Sequence, residues 1–341
     1  MLRLPAFRFR SARSLAEAAA ILAGEGAAEG APVRCVAGGT DLWPNMKRRH
    51  QKASTVVSLM RIPELRGIRD GGELRLGATT TLTEIEESAV VRERYPALAR
   101  AVGSISAPVL RNMGTIGGNV CLDTRCTYYN QNEEWRRSID YCLKEEGQIC
   151  WVAPGSPKCW AISASDSAPM LCALDARVRL VSSQGERVVP IAALYRDDGI
   201  DYLTKRPDEI VAEVLVPAES DARRCRASFQ KLRRRGSIDF AVLTVAAAVW
   251  TRGDGTVERA RLYLGAVNSL PAPAAAAARA IEGRPLSAAG IDEAARLARD
   301  AATPLDNTDF QAQWRSAMVE RFTARALTEL LSPPSQAAHT A

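Results

Sequence analysis

A chain of 341 residues is too long for one typical hydrophobic core and calls for two or three domains. With 47% hydrophobic and 25% charged residues it has the composition of an ordinary soluble globular protein, and no apolar run of about 18 residues offers a membrane span. The net charge of +6 is spread out, and its densest cluster, Lys231 with Arg233-Arg234-Arg235, suits a solvated face or a subunit contact better than a nucleic-acid site. Only His50 and His339 could supply imidazole chemistry, so reactivity would have to come from bound cofactors. The N-terminus, Met1-Leu2-Arg3-Leu4-Pro5, opens into folded-looking sequence without a signal-type apolar region, which predicts a cytoplasmic protein. In that compartment eight cysteines are expected to bind metal or to be buried.

The pattern opens with a capping box, Ser14 with Glu17, ahead of a helix over Leu15 to Leu22. A short strand, Val33-Arg34-Cys35-Val36, runs into Ala37-Gly38-Gly39-Thr40-Asp41. Strands follow at Thr55 to Leu59 and Leu74 to Leu76, the latter leading into Gly77-Ala78-Thr79-Thr80-Thr81. Pro96 to Val102 is predicted helical, Arg111 to Asn119 a glycine-bearing loop, Ala168 to Leu174 an apolar helix and Val178 to Val181 a strand. Val216 to Asp221 has the composition of a linker. Beyond it, Phe240 to Trp250 and Ala260 to Val267 flank Gly253-Asp254-Gly255 as a hairpin, and helices are expected around Ile291 to Ala301 and Gln311 to Leu331. Alternating short strands and helices give an α+β or α/β layout. The expected division is 1–55, 56–221 with an insert near 121–162, 222–332, and a disordered tail over 333–341.

Two loops carry adjacent glycines, Gly38-Gly39 and Gly117-Gly118. Glycine lets backbone N–H groups approach a ligand closely, and neighbouring threonines add uncharged donors. Neither loop matches a dinucleotide fingerprint or a Walker pattern, and each alone is more often an ordinary turn. Together with Thr79-Thr80-Thr81 they favour a phosphate-bearing cofactor held by backbone donors.

Four cysteines, Cys126, Cys142, Cys150 and Cys159, fall within 34 residues at gaps of 16, 8 and 9. Those gaps are too wide for one zinc ribbon and unlike the tight runs of bacterial ferredoxins. Four thiolates are what a 4Fe–4S cluster requires, and a structural zinc site would use the same residues. Cys172, inside an apolar helix, is expected in the core.

Ala37-Gly38-Gly39-Thr40-Asp41-Leu42, Gly77-Ala78-Thr79, Thr115-Ile116-Gly117-Gly118-Asn119, and Lys231 with Asp239 together resemble the FAD-binding subunits of the molybdenum hydroxylase family. The resemblance covers nearly the whole chain. It implies an α+β fold: a two-part FAD-binding domain of the vanillyl-alcohol-oxidase type, then a smaller α+β domain. Within the family, Asp123 to Gln131 and Tyr141-Cys142-Leu143-Lys144 resemble the β subunit of 4-hydroxybenzoyl-CoA reductase, whose extra 4Fe–4S cluster implies Cys126, Cys142, Cys150 and Cys159 as ligands. Aldehyde oxidoreductases of the family can also carry a cluster here, with different spacing. The resemblance places Cys35 to Leu42 on one side of the FAD pyrophosphate, and Thr115, Gly118 and Asn119 on the other, with Thr79 nearby. It sets Asp166 near the ribityl or ribose hydroxyls and Lys231 near the flavin ring. Asp166 could instead be a plain helix N-cap, and Lys231 a surface lysine.

The implied function is electron relay between a 4Fe–4S cluster, FAD and partner subunits: a large molybdenum-cofactor subunit, a small 2Fe–2S subunit and a ferredoxin-like carrier. The insert favours a reductase that removes a phenolic hydroxyl from an aryl-CoA. The C-terminal run from Thr303 through Trp314 to Leu327 resembles the oxidative hydroxylases instead. A free-standing flavoenzyme would need its own acid or base, which the scarcity of histidine disfavours.

Overall fold

Three β-sheets frame the chain in the computed structural model, which describes residues 2–26, 32–221 and 224–331. The tail expected at 333–341 lies outside the described residues.

The first sheet is parallel, with Thr55–Ser58 between Arg8–Ser11 and Val33–Val36. Its central strand therefore runs past residue 55. The helix Leu15–Gly26 covers it through Ala18, Ala19 and Leu22. Ser14 Oγ accepts the Glu17 N–H at 3.1 Å, while the Glu17 carboxylate accepts from Arg13 N–H rather than from Ser14.

The second sheet is antiparallel, in the order Ile68–Asp70, Leu74–Gly77, Ile210–Val216, Arg177–Ser182, Gly185–Pro190. Every residue of Ile210–Val216 is buried, including Glu213, whose charge is met by Arg69, Arg75 and Arg179. The helices Leu82–Glu87, Pro96–Gly103 and Ser167–Ala173 add Ile85, Leu98 and Met170 to the sheet's core.

The third sheet, also antiparallel, runs Ala272–Pro273, Val257–Gly265, Leu243–Thr251, Cys225–Leu232. The predicted hairpin forms at 253–255, where Gly255 takes φ +84°. Strand Leu243–Thr251 shows why an apolar run need not alternate. Leu243, Val245, Ala247 and Val249 face the helices Ala275–Ile281, Ala288–Arg299 and Ala312–Glu329, and Ala246, Ala248 and Trp250 face the second sheet's core. Both faces are buried, so both are apolar.

Two expectations need correction, and one helix is unforeseen. Arg111 to Asn119 is not a continuous loop: a helix Pro108–Arg111 ends in it and a helix Ile116–Val120 starts in it, capped by Thr115. Val216 to Asp221 is not a linker. Val216 ends a central strand, Ala218–Ser220 forms a helical turn, and buried Asp221 is ion-paired with Arg94. The helix Ala275–Ile281 goes unpredicted because its run of alanines carries almost no periodic signal.

Buried Arg315 ties the last helix to the rest. Its guanidinium donates to the carbonyls of Val242, Leu305 and Ala266 and to Asn307 Oδ1, and burial without a paired carboxylate pulls it down to about 10. Among the described residues no helix is long and apolar enough to cross a membrane.

Candidate flavin loops and cysteine pocket

The strand Val33–Val36 delivers the segment 37–41 to a crowded junction. Gly39 takes φ +72°, and a Cβ there would run into the Trp43 indole. A Cβ on Gly38 would fall on the Met113 carbonyl and 3.1 Å from the Gly114 nitrogen. One layer further in, a Cβ on Gly117 would sit 2.7 Å from that of Ala78. The Gly117 N–H donates to Ala78 O at 2.9 Å, and Ile116 N–H to Thr80 O at 3.1 Å. The three glycine- and threonine-bearing segments, distant in sequence, thus meet backbone to backbone.

The individual side chains are more varied than their motif suggests. Val36 is buried, and Cys35 is pushed up to about 11 by burial, which keeps it an inert thiol. Asp41 opens the helix Leu42–Lys47 without capping it; its carboxylate is ion-paired with Arg125 and accepts from Asn45 Nδ2 at 2.9 Å. Thr79 is turned away, its hydroxyl donating to Leu65 O at 3.0 Å. Thr115 Oγ accepts the Gly118 N–H at 3.2 Å, and Asn119 Oδ1 accepts from Ser165 Oγ and Ser167 Oγ at 2.9 and 2.6 Å. The Asn119 bonds lock the second loop to the segment that holds Asp166. Ala37, Thr40 and Leu42 are each partly exposed along the first loop.

Asp166 and Lys231 form one buried pair, Nζ to Oδ2 at 2.6 Å, and Lys231 also donates to Ser104 O at 3.0 Å. Asp166 does occupy the N-cap position of Ser167–Ala173, but its carboxylate makes no cap bond. Its other oxygen is buried without a partner, which suits a ligand hydroxyl as donor. That orphaned acceptor beside a cradle that admits no Cβ fits FAD.

Burial raises the Asp166 carboxyl above its usual range against the pull of Lys231. A raised acid binds its proton more readily in the folded chain, so this group favours the fold at low pH and costs stability as pH rises through its folded value. Replacing Lys231 by Met leaves the carboxylate without its counter-ion. We expect a loss of about 3–5 kcal/mol near pH 7. The loss should shrink as pH falls toward about 4, where carboxyls protonate. Urea titrations at the two pH values measure it; an equal loss at both would contradict the pairing.

Cys126, Cys142, Cys150 and Cys159 are all buried, all free of disulfides, and all line one small pocket together with Tyr128, Tyr129, Leu143, Lys144, Trp151 and Val152. Burial pushes the Cys126 thiol up to about 11, with Cys142 and Cys150 adding to it, and the Cys159 thiol up to about 12, with Cys150 and Cys126 adding. Main-chain N–H groups aim back at the sulfurs: those of Tyr128 and Tyr129 at Cys126, of Lys144 at Cys142, and of Ala161 at Cys159, the last at 3.4 Å. Such donors stabilise thiolates and tune cluster sulfurs. Among the described residues no three His, Cys, Asp or Glu groups close in on a single ion point. One zinc with metal–sulfur bonds of about 2.3 Å would draw its sulfurs to roughly 3.8 Å apart. A cluster spreads them, because each thiolate holds a different iron. Four buried thiols on one pocket are a donor set that either a 4Fe–4S centre or a structural zinc would use.

The insert is fastened on several sides. His50 Nε2 donates to Gln131 O at 2.8 Å, Tyr129 OH donates to His50 O at 2.5 Å, and Gln51 Nε2 donates to Asp123 Oδ2 at 2.9 Å. Burial holds His50 down at about 4, so it is a neutral strut. Fully buried Arg136 pairs with Glu133 and Glu145 and donates to Arg48 O. On the other side Thr127 N–H donates to Asn307 O at 2.9 Å and Asn307 Nδ2 to Trp160 O at 2.7 Å.

Three contributors escaped the sequence reading. Arg125, next to Cys126, reaches Asp41 and lies 4.0 Å over the Phe240 ring. Lys144 lies inside the cysteine motif. Gly199 packs on Cys159, where a Cβ would come within 2.6 Å of the sulfur. Its Asp-Asp-Gly context signals only a turn; nothing local reveals a sulfur 40 residues earlier.

Comparison with known proteins bears on the whole chain. Residues 5–219 match the family described as FAD binding domain in molybdopterin dehydrogenase, and 227–330 the CO dehydrogenase flavoprotein C-terminal domain. The carbon monoxide dehydrogenase medium chain of Hydrogenophaga pseudoflava is 30% identical over 329 residues, covering 95% of this chain and 96% of that one. The xanthine dehydrogenase FAD-binding subunit of Escherichia coli O157:H7 is 24% identical, covering 95% and 96%. Among solved structures, carbon monoxide dehydrogenase from Hydrogenophaga pseudoflava superposes with a TM-score of 0.77 at 27% identity, covering 96% of this chain and 97% of that one.

Proposed function

We propose, from the premise that this chain belongs to the FAD-binding medium subunits of the molybdenum hydroxylase family, that it is an electron relay with a second redox centre at Cys126, Cys142, Cys150 and Cys159. The observation that carries this reading is the convergence of four free, buried thiols on one pocket, in a segment linked to the first flavin loop by the Arg125–Asp41 ion pair. FAD supplies the exchange between two-electron and one-electron transfer, and a 4Fe–4S cluster carries single electrons.

The chain's own groups have defined parts. Segment 37–41 offers backbone N–H groups to the pyrophosphate, and segment 115–119, whose N–H groups from Ile116 to Asn119 donate within the protein, walls the other side. Asp166 offers its free oxygen to a ligand hydroxyl, and the Lys231 ammonium balances charge near the ring. Tyr129, Val152 and Trp151 keep water from the thiolates.

Substrate chemistry belongs to partners: a large molybdenum-cofactor subunit and a small 2Fe–2S subunit, with a ferredoxin-like carrier at the cluster end. Relatives with the names carbon monoxide dehydrogenase and xanthine dehydrogenase favour an oxidative hydroxylase. The likeness of segments 123–131 and 141–144 to 4-hydroxybenzoyl-CoA reductase supports a second reading, reductive dehydroxylation of an aryl-CoA. Exposed Val109, Met113, Ile238 and Phe240 lie on segments that touch the flavin loops, or Arg125 beside them, and suit a partner face. Purification from the native host should recover two further subunits, with molybdenum in the larger. A monomer that turns over substrate unaided would defeat the reading.

A further inference from the structure

We propose that Lys144 sets the reduction potential of the centre held by the four cysteines, a role that rests on the cluster reading above. Lys144 lines the same pocket as the thiols and its side chain is 6% exposed. Its ammonium lies 4.9 Å from the centre of the Tyr129 ring, which also lines the pocket, and 5.5 Å from that of Tyr202. It donates to Asp123 Oδ1 at 2.7 Å, Gly199 O at 2.7 Å and Thr124 O at 3.3 Å, and it also reaches the Thr124 hydroxyl. Gly199 is the residue packed on the Cys159 sulfur, so the ammonium also pins the peptide that covers one ligand. Asp123 does not line the pocket, and its second oxygen is taken up by Gln51. Lys144 thus belongs to the lining that holds the thiols, and its partner Asp123 lies outside that lining.

Each electron added to the cluster adds one negative charge to a site with little water. A fixed cation beside it stabilises the reduced form, and an anion paired with that cation offsets part of the effect. Opposite consequences follow for the two partners. Removing the cation while keeping Asp123 lowers the potential. Removing the anion while keeping Lys144 raises it. A residue that merely packs against the pocket gives no such pair of opposed shifts.

The test is a redox titration of the full chain, loaded with FAD and iron, followed by electron paramagnetic resonance of the reduced cluster. Lys144→Met should shift the reduced-to-oxidised ratio at a given potential at least tenfold toward the oxidised form, or about 59 mV downward for a one-electron couple. Asp123→Asn should shift it upward, and Lys144→Arg, which keeps the charge, should stay near the parent chain. If Lys144→Met fails to assemble a cluster, the Asp123→Asn and Lys144→Arg titrations carry the test. Unmoved potentials in fully loaded variants, shifts of the same sign in Lys144→Met and Asp123→Asn, or a Lys144→Arg shift as large as that expected for Lys144→Met, overturn the proposal. Iron content is measured separately, and a parent chain without iron defeats the cofactor reading itself.

Discussion

A chain carrying Gly38→Ala should lose its FAD and part of its stability together. The added methyl would fall on the Met113 carbonyl and press on the Gly114 nitrogen. Both obstacles are main chain, so no side chain can swing aside. Relief requires segments 37–41 and 113–119 to part, and these are the two loops proposed to face one pyrophosphate. Overpacking of this kind costs about 1–3 kcal/mol, and more where backbone must move. Gly39→Val adds strain of a different origin, because a β-branched residue would have to adopt φ +72° against Trp43. Gly71→Ala is the control, since a Cβ there meets nothing within 4 Å. Flavin absorbance after desalting, read beside the thermal midpoint, separates the outcomes. Full FAD in the Gly38→Ala chain would remove the first loop from the site.

Replacing Cys142 by Ser should strip about four iron atoms per chain, the complement of one 4Fe–4S cluster, and leave FAD in place. Serine keeps the volume but offers an alcohol where the site needs a thiolate. Cys121→Ser should change nothing, since Cys121 lies outside the pocket although it precedes Cys126 by only five residues. The helix Ile116–Val120 ends just before Cys121, and the Tyr202 hydroxyl donates to its carbonyl at 3.3 Å. Iron loss from Cys121→Ser with retention in Cys142→Ser would reverse the ligand assignment.

Much of this architecture is written in local pattern. Ser14 and Glu17 mark a helix start, Gly253-Asp254-Gly255 a hairpin, and the cysteine spacing a pocket, because turn chemistry and ligand type act over a few residues. The features that escape are those created by long-range packing. Val216 to Asp221 has linker composition, yet Ser220 and Asp221 are buried, and Asp221 is met by Arg94, far away in sequence. Asp166 and Lys231 lie 65 residues apart and become one pair only when the third sheet packs on the second. Thr79 belongs to a loop motif but spends its hydroxyl on Leu65, a use no spacing announces. Gly199 becomes necessary only once Cys159 lies against it. For the same reason the direction of electron flow is not written in the motifs: it would depend on the charges around each proposed centre, of which Lys144 and Asp123 are one testable pair.

The most direct test of the account is a joint assay of iron, acid-labile sulfide and flavin in the purified chain, with Lys144 and all four pocket cysteines intact. We expect about four iron and four sulfide for each FAD, and a visible spectrum that combines flavin bands with a broad iron–sulfur absorbance. One zinc per chain without sulfide, or FAD in full with all four pocket thiols free to alkylate, would contradict it.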